Sequence, residues 1–244
     1  LKTLHNGSEN VQVCVSHLTL DGKKLKEILY MGVPAGLQSV LFSISNVLIQ
    51  SSVNSFGSLA VAGNTAANSI DGFLYTVNNC LAQTNLSFVS QNYGAGKKER
   101  ILPIMKSSMI ITVIASMILG SISLFFGPSI LSLYSSESEV VSYAMIRVRL
   151  VLTVYFIFAF QEMTVSCIRA LGYSIAPMLI SVFCICGFRI MWVFTYFATH
   201  HTLQSLYIAY PLSWTVAAVF HVSLLIHIWK NRNPLDRMTK QNHI

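Results

Sequence analysis

The chain has 244 residues, of which 53% are hydrophobic and only 10% charged, and its formal net charge at pH 7 is +7. Soluble domains carry roughly 25% charged residues, so this composition excludes an ordinary soluble protein and indicates a membrane protein. The lysines and arginines lie in short segments between apolar stretches, which argues against a nucleic-acid-binding face.

Taken in chain order, the sequence predicts an all-α fold. Residues 1–20 are polar and are interpreted as a linker, and Asp21 is placed to cap a short amphipathic helix, Gly22–Tyr30, at the membrane surface. Six apolar stretches follow, each reaching the about 20 residues needed to cross a bilayer. The predicted membrane helices are Met31–Ser55, Leu59–Tyr93, Pro103–Phe126, Val140–Ile168, Ile175–Ala198 and Gln204–Trp229. Residues 230–244 form a basic tail.

The positions of the basic residues predict the topology. Twelve of the sixteen lysines and arginines fall in the N-terminal segment, around the connection after the second helix, or in the tail. The three connections on the opposite side of the membrane contain none. By the positive-inside rule we expect both termini to be cytoplasmic and the protein to lie in the plasma membrane.

The first two predicted helices each carry a polar stripe. At 100° per residue, the polar side chains of each helix fall within about 60° of one direction or less. The stripes comprise Ser39, Ser43, Asn46, Gln50 and Asn54 on the first helix, and Asn64, Asn68, Asp71, Tyr75, Asn78, Asn79 and Asn85 on the second. Such residues are costly in contact with lipid, so the short connection between the helices predicts two facing stripes along a water-filled cavity. From these stripes, Asn46, Gln50, Asn64, Asn68, Tyr75 and Asn78 are candidate binding residues.

Five charged residues are expected within the bilayer: Asp71, Glu162, Arg147, Arg149 and Arg189. One interpretation is that Asp71 forms a structural ion pair with one of these arginines. The other is that Asp71 or Glu162 binds and releases a cation during transport, since a buried acid can exchange a proton near neutral pH. The sequence leaves both open.

Enzymatic interpretations find little support in the sequence. It contains no His-Glu-x-x-His, no Gly-x-Ser-x-Gly and no phosphate-binding loop, so we expect neither catalytic residues nor a resident cofactor. Cys184 and Cys186 point to different sides of a helix, as do His221 and His227, and neither pair predicts a metal site.

Several short motifs occur in an order that resembles the multidrug and toxic compound extrusion (MATE) family. They are Gly32-x-Pro34, Phe56-Gly57, Gln91-Asn92-Tyr93-Gly94-Ala95-Gly96-Lys97 with Arg100-Ile101, Arg169-x-x-Gly172-Tyr173 with Pro177, and Cys186-Gly187-Phe188-Arg189. The resemblance covers about Leu20–Trp229. It implies that the chain is the C-terminal six-helix lobe of a twelve-helix, two-lobe transporter, with an N-terminal six-helix lobe as its partner.

The same resemblance implies a function. Family members export organic, often cationic, compounds, driven by inward flow of Na⁺ or H⁺ as the coupling ion, and some use an acid in the tenth helix. Glu162 lies in the corresponding helix, about one turn from the family's position. Where members often have Arg-Gly-x-Gly, this chain has Arg169-Ala170-Leu171-Gly172.

Alternatives remain within and beyond the family. A related flippase would carry a lipid-linked saccharide in a strongly cationic cavity, supplied here by Arg147, Arg149 and Arg189. A third interpretation is a non-transporting membrane module that needs a partner. Because the first lobe is not in this sequence, we expect a fragment, a half-transporter or a chain inactive by itself.

Overall fold

The computed structural model describes residues 20–231, and every regular element in that range is helical. The predicted linker, residues 1–20, and the predicted tail, residues 230–244, thus lie almost wholly outside the described residues. The helices are α1 (Gly22–Asn54), α2 (Ser58–Gly94), α3 (Lys98–Phe125), α4 (Gly127–Leu131), α5 (Ser138–Arg147), α6 (Tyr155–Ala170), α7 (Ile175–Ser181), α8 (Phe188–Trp192), α9 (Leu203–Tyr207) and α10 (Ala209–Asn231). Three π-helical stretches, Val148–Leu152, Val182–Gly187 and Val193–Phe197, continue α5, α7 and α8.

Helix α1 begins where the sequence predicts and then departs from the prediction. Asp21 Oδ1 accepts hydrogen bonds from the backbone N–H groups of Lys23 and Lys24 at 2.9 and 3.4 Å, which caps the helix. The helix then continues without a break through Pro34 to Asn54. The predicted surface helix and first membrane helix are therefore one element, with Pro34 in its interior, where it removes only one backbone hydrogen bond.

Helices α1 and α2 form the predicted hairpin. The connection between them turns at Gly57, whose φ of 93° lies in a region that side chains with a Cβ rarely adopt. Helix α2 is 37 residues long and ends at Gly94, as the glycine-rich sequence there predicts. The hairpin places the polar sides of the two helices against each other.

The fourth predicted helix is bent rather than straight. Helix α5 continues into the π-helical stretch Val148–Leu152. The helix is interrupted at residues 153–154, and α6 follows at an angle of 46° to the preceding segment. The wider π turns change the direction in which successive side chains point. A projection that treats this segment as a straight α-helix therefore assigns some of its side chains to the wrong side of the helix.

Two glycines allow backbones to approach the bent segment very closely. A Cβ on Gly63 of α2 would lie 2.8 Å from the carbonyl oxygen of Val140 in α5, and a Cβ on Gly120 of α3 would lie 2.6 Å from the carbonyl oxygen of Leu152. Real Cβ atoms do not approach other atoms that closely. Only glycine therefore fits at positions 63 and 120, where α2 and α3 pack against the bent segment.

Within residues 20–231, four helices are long and apolar enough to cross a membrane: Gly22–Asn54, Glu99–Phe125, Ile175–Phe197 and Leu203–Lys230. The bent pair Ser138–Leu152 and Tyr155–Ala170 would make a fifth span. Helix α2 is not among them despite its length, because its amides lower its hydropathy. A polar helix packed among apolar ones lines a cavity more readily than it faces lipid.

Candidate functional site

A cavity of about 750 Å³ lies between α1, α2, α5, α6, α10 and the stretch from α7 to α8. Seven of the eight candidate binding residues line it: Asn46, Gln50, Asn64, Asn68, Asp71, Tyr75 and Glu162. Arg147 and Arg189 line it too, together with Arg169. The two polar stripes therefore face one cavity, as the helical spacing predicts.

Asp71 and Arg147 form an ion pair at the edge of this cavity. The Arg147 Nη2 atom donates to Asp71 Oδ2 at 2.6 Å, with side chains 5% and 19% exposed respectively. The guanidinium also lies 5.1 Å from the ring centroid of Tyr210. Of the two interpretations of Asp71, pairing is the one that the geometry supports.

A hydrogen-bonded network extends from this ion pair to α1. Asn64 Oδ1 accepts bonds from Arg147 Nη1 at 2.9 Å and from the Tyr207 hydroxyl at 3.0 Å, while Asn64 Nδ2 donates to Gln50 Oε1 at 2.8 Å. Gln50 Nε2 in turn donates to Asn54 Oδ1 at 3.0 Å. Asn64 is only 2% exposed, so these bonds fix the side of the cavity that α1 and α2 share.

Glu162 is the second acid of the cavity and has a different environment. In the described part of the chain it makes no hydrogen bond and no ion pair within 4.0 Å, although Arg169 acts on it electrostatically. Arg169 itself donates from Nη2 to Gln38 Oε1 at 2.6 Å. Glu162 thus lines the cavity without a directly bonded partner in the described residues.

Arg189 is held on aromatic rings rather than by an acid. Its guanidinium carbon lies 4.0 Å from the ring centroid of Tyr210 and 5.9 Å from that of Trp214. Nε donates to Ser213 Oγ at 3.1 Å, and Nη1 reaches Asn46 Oδ1 only at 3.5 Å. This contact confirms that α1 and α8 share the cavity.

An aromatic cluster forms the remaining side of the cavity, and the sequence analysis missed it. The rings of Tyr155, Phe158 and Trp214 lie 5.0 to 5.5 Å apart, and Tyr75 and Tyr210 extend the cluster at 6.1 and 5.8 Å. The spacing of Tyr155 and Phe158 by three residues, and of Tyr210 and Trp214 by four, was the available signal. These rings, tilted or edge-on to one another, give the cavity an aromatic side.

Two predicted site residues lie elsewhere. Asn78 is 1% exposed, faces α3 and accepts a bond from Ser116 Oγ at 2.6 Å, so it packs helices together. Arg149 is exposed outside the cavity, and in the described residues the arginine that pairs with Asp71 is Arg147 and not Arg149. It lies two positions beyond Arg147, so it points to the far side of the helix. Over the same residues, no cluster of three or more His, Cys, Asp or Glu side chains is arranged to hold a metal ion.

Comparison with known proteins gives consistent matches. Residues 34–195 match the MatE family. The chain is 25% identical over 219 residues to the probable multidrug resistance protein YoeA of Bacillus subtilis, covering 88% of this chain and 47% of that protein. It is 20% identical over 156 residues to the probable multidrug resistance protein NorM of Thermotoga maritima, covering 64% and 34%.

The fold is similar to that of solved MATE transporters. A crystal structure of a mutant of the Vibrio cholerae MATE transporter VcmN superposes with a TM-score of 0.81 at 16% identity, covering 92% of this chain and 51% of that one. The chain thus spans about half the length of the relatives that it matches over most of its own length.

Proposed function

The chain belongs to the MatE family, and from that premise we propose that it forms the C-terminal six-helix lobe of a secondary antiporter that exports organic compounds in exchange for Na⁺ or H⁺. The observation that carries this proposal is the cavity, in which amides, two acids and an aromatic cluster surround about 750 Å³. Such a combination suits an amphipathic cargo, because the rings accept its apolar part and the polar groups orient it.

The membrane arrangement follows from the same cavity. All six long helical stretches cross the bilayer in this proposal, and α2 does so despite its amides because its polar side faces the cavity and not lipid. Both termini are cytoplasmic, given the distribution of lysine and arginine, and the plasma membrane is the site of export.

A second lobe is the proposed partner. The cavity is open rather than closed by the described helices, and α1 presents an exposed apolar face beside it. That face includes Val33, Leu37, Val40, Ile44 and Val47, each more than half exposed. An N-terminal six-helix lobe packed on this side would complete the cavity, and alternate access would come from rocking of the two lobes.

Coupling to the ion gradient is assigned to Glu162. Asp71 is already neutralised by Arg147 at 2.6 Å, whereas Glu162 has no hydrogen bond to the described residues and lines the cavity. A carboxylate free of structural partners can bind Na⁺ or a proton and release it. Asp71 in this proposal orients Arg147 and its network.

A lipid-linked saccharide flippase remains the second candidate, and one observation favours it. Three arginines but only two acids line the cavity, an excess of one positive charge. The two acids of the cavity weigh against it, because each repels the anionic diphosphate of such a lipid.

Transport in membrane vesicles tests the proposal. Everted vesicles from cells that express the natural protein would be loaded through an imposed Na⁺ or proton gradient, and uptake of aromatic dyes would be followed by fluorescence. We expect uptake that stops when an ionophore dissipates the coupling gradient, and none in vesicles without the protein. Dye binding without gradient-dependent uptake would instead indicate a non-transporting module.

A further inference from the structure

One of the guanidiniums around the cavity, that of Arg189, lies on aromatic rings and has no bonded acid in the described residues. Five charged side chains line it in the described residues: Asp71, Glu162, Arg147, Arg169 and Arg189. Arg147 is paired with Asp71 at 2.6 Å, and Arg169 is the cation that acts on Glu162. Arg189 has no carboxylate within 4.0 Å in the same residues. Arg189 is therefore a cavity cation without a directly bonded acid in the described residues.

The surroundings of Arg189 satisfy it only in part. The side chain is 6% exposed, yet in residues 20–231 its hydrogen bonds are limited to one of 3.1 Å to Ser213 and one of 3.5 Å to Asn46. A guanidinium has five N–H donors, and Nη2 has no acceptor in this part of the chain. Nη2 is not fully buried, so this unpaired donor reaches the cavity, where water or the acidic group of a ligand can accept its bonds.

The rings beside Arg189 restrict what that ligand can be. Two guanidiniums already lie near the ring of Tyr210, at 4.0 Å for Arg189 and 5.1 Å for Arg147, and they would repel a further cationic group there. Next to Tyr210 the cluster continues through Trp214 to Phe158, whose rings lie 5.3 Å apart. A flat ring can stack on these side chains while a group attached to it reaches Arg189.

We propose that Arg189 is a subsite for the acidic group of an aromatic cargo, such as a carboxylate or a sulfonate, which accepts bonds from the free Nη2 and from Nη1. This inference rests on the proposed transport function and names its substrate class. It adds an acidic group to the expected organic, often cationic, compound, which is then a zwitterion or an anion. Asn46 is the neighbouring acceptor that such a group would displace.

A matched pair of dyes tests this subsite. The probes are a rhodamine with a free carboxylate and the methyl ester of the same dye, which differ only in the group that Arg189 would bind. Binding to the purified full-length protein would be followed by fluorescence polarisation. We expect the carboxylate dye to bind about tenfold more tightly than the ester, the effect of one charge-assisted contact.

Two variants and one control locate the effect. Asn46→Asp places a carboxylate beside Arg189 without removing it, and Arg189→Gln removes the cation; each should abolish the preference for the carboxylate dye. Arg149→Gln removes an exposed arginine outside the cavity and should leave the preference unchanged. Melting temperatures identify any variant that fails to fold, and Asn46→Asp, at an exposed position, decides the matter if Arg189→Gln is unstable.

The outcomes separate this inference from the proposed function. Tighter binding of the ester, or an unchanged preference in Asn46→Asp, would overturn the acid subsite. Vesicle uptake of the ester but not of the carboxylate would also refute the subsite while leaving transport intact, whereas uptake of neither dye would count against transport itself. Displacement of the dye by an isoprenoid diphosphate, but not by aromatic carboxylates, would contradict the aromatic-acid class.

Discussion

The Nη2 atom of Arg147 lies 2.6 Å from Oδ2 of Asp71, and this bond joins α5 to α2 at the cavity. It distinguishes the two acids of the cavity, because Asp71 is bonded to Arg147 whereas Glu162 has no bonded partner in the described residues. Each acid should therefore respond differently to neutralisation.

Neutralising Asp71 is expected to destabilise the protein. Asp71→Asn leaves the Arg147 guanidinium, which is 5% exposed, without its counter-ion, at a cost of about 3 kcal/mol in the free energy of unfolding. Titration with SDS in mixed micelles measures this quantity. The double variant Asp71→Asn/Arg147→Gln should recover most of the loss, since it no longer buries an unpaired charge. Equal stability of Asp71→Asn and the wild type would contradict the structural assignment of this pair.

Neutralising Glu162 is expected to impair transport without a comparable loss of stability. Glu162→Gln removes a carboxylate that makes no hydrogen bond in residues 20–231, so unfolding should change by less than about 1 kcal/mol. Gradient-driven dye uptake should fall at least about tenfold, because the proposed ion site is lost. The matched control is Glu137→Gln, an exposed acid far from the cavity, which should transport normally. Normal gradient-driven dye uptake in Glu162→Gln would show that the coupling ion binds at another site.

Two asparagines on α2 should separate packing from binding. Asn78→Ala leaves the buried Ser116 hydroxyl without its acceptor and should cost about 1–3 kcal/mol of stability, with little change in dye affinity. Asn68→Ala removes an exposed amide that lines the cavity and should weaken dye binding about twofold to tenfold at unchanged stability. Thermal unfolding and dye titration of both variants measure the two effects. A loss of dye affinity in Asn78→Ala together with a loss of stability in Asn68→Ala would contradict these two assignments.

Two glycines on the same helix provide a second matched comparison. Gly63→Ala should destabilise the protein by about 1–3 kcal/mol, because its Cβ would overlap the backbone of α5. Gly72→Ala meets no atom within 4 Å and should be neutral or stabilising by up to about 1 kcal/mol through its higher helix propensity. Unfolding of both variants in the same detergent tests the contact. Equal stability of the two variants would refute it.

Helical spacing was sufficient to predict the shared cavity but not its internal partners. Asn46, Gln50, Asn64 and Asn68 lie on it because a period of 3.6 residues and a short connection force the stripes to face each other. The same projection could not tell the cavity from a neighbouring helix, and so it placed Asn78 on the cavity although that side chain is bonded to Ser116. The polar stripe of α2 thus contacts both the cavity and the neighbouring helix α3.

The pairing of the charges depended on information that no local pattern carries. The sequence left open which arginine pairs with Asp71, and the structure pairs it with Arg147. Its position follows from the π turns after Arg147 and from the close approach of α5 to Gly63, both of which are tertiary features. The aromatic cluster likewise joins residues of α6 and α10 that are more than fifty positions apart, such as Phe158 and Trp214.

The tight contacts at Gly63 and Gly120 also limit how this lobe can change shape. Each glycine contacts the main chain of the bent segment: Gly63 contacts α5, and Gly120 contacts the end of the π-helical stretch. Sliding or rolling of that segment against α2 or α3 would bring backbone atoms close to collision, so the two contacts favour a common tilt of the three helices. Helix α6, beyond the break at residues 153–154, also packs against both α2 and α3, so it belongs to the same packed unit. Because Glu162 lies on α6 and Asp71 on α2, the two acids of the cavity would keep their separation when this unit tilts.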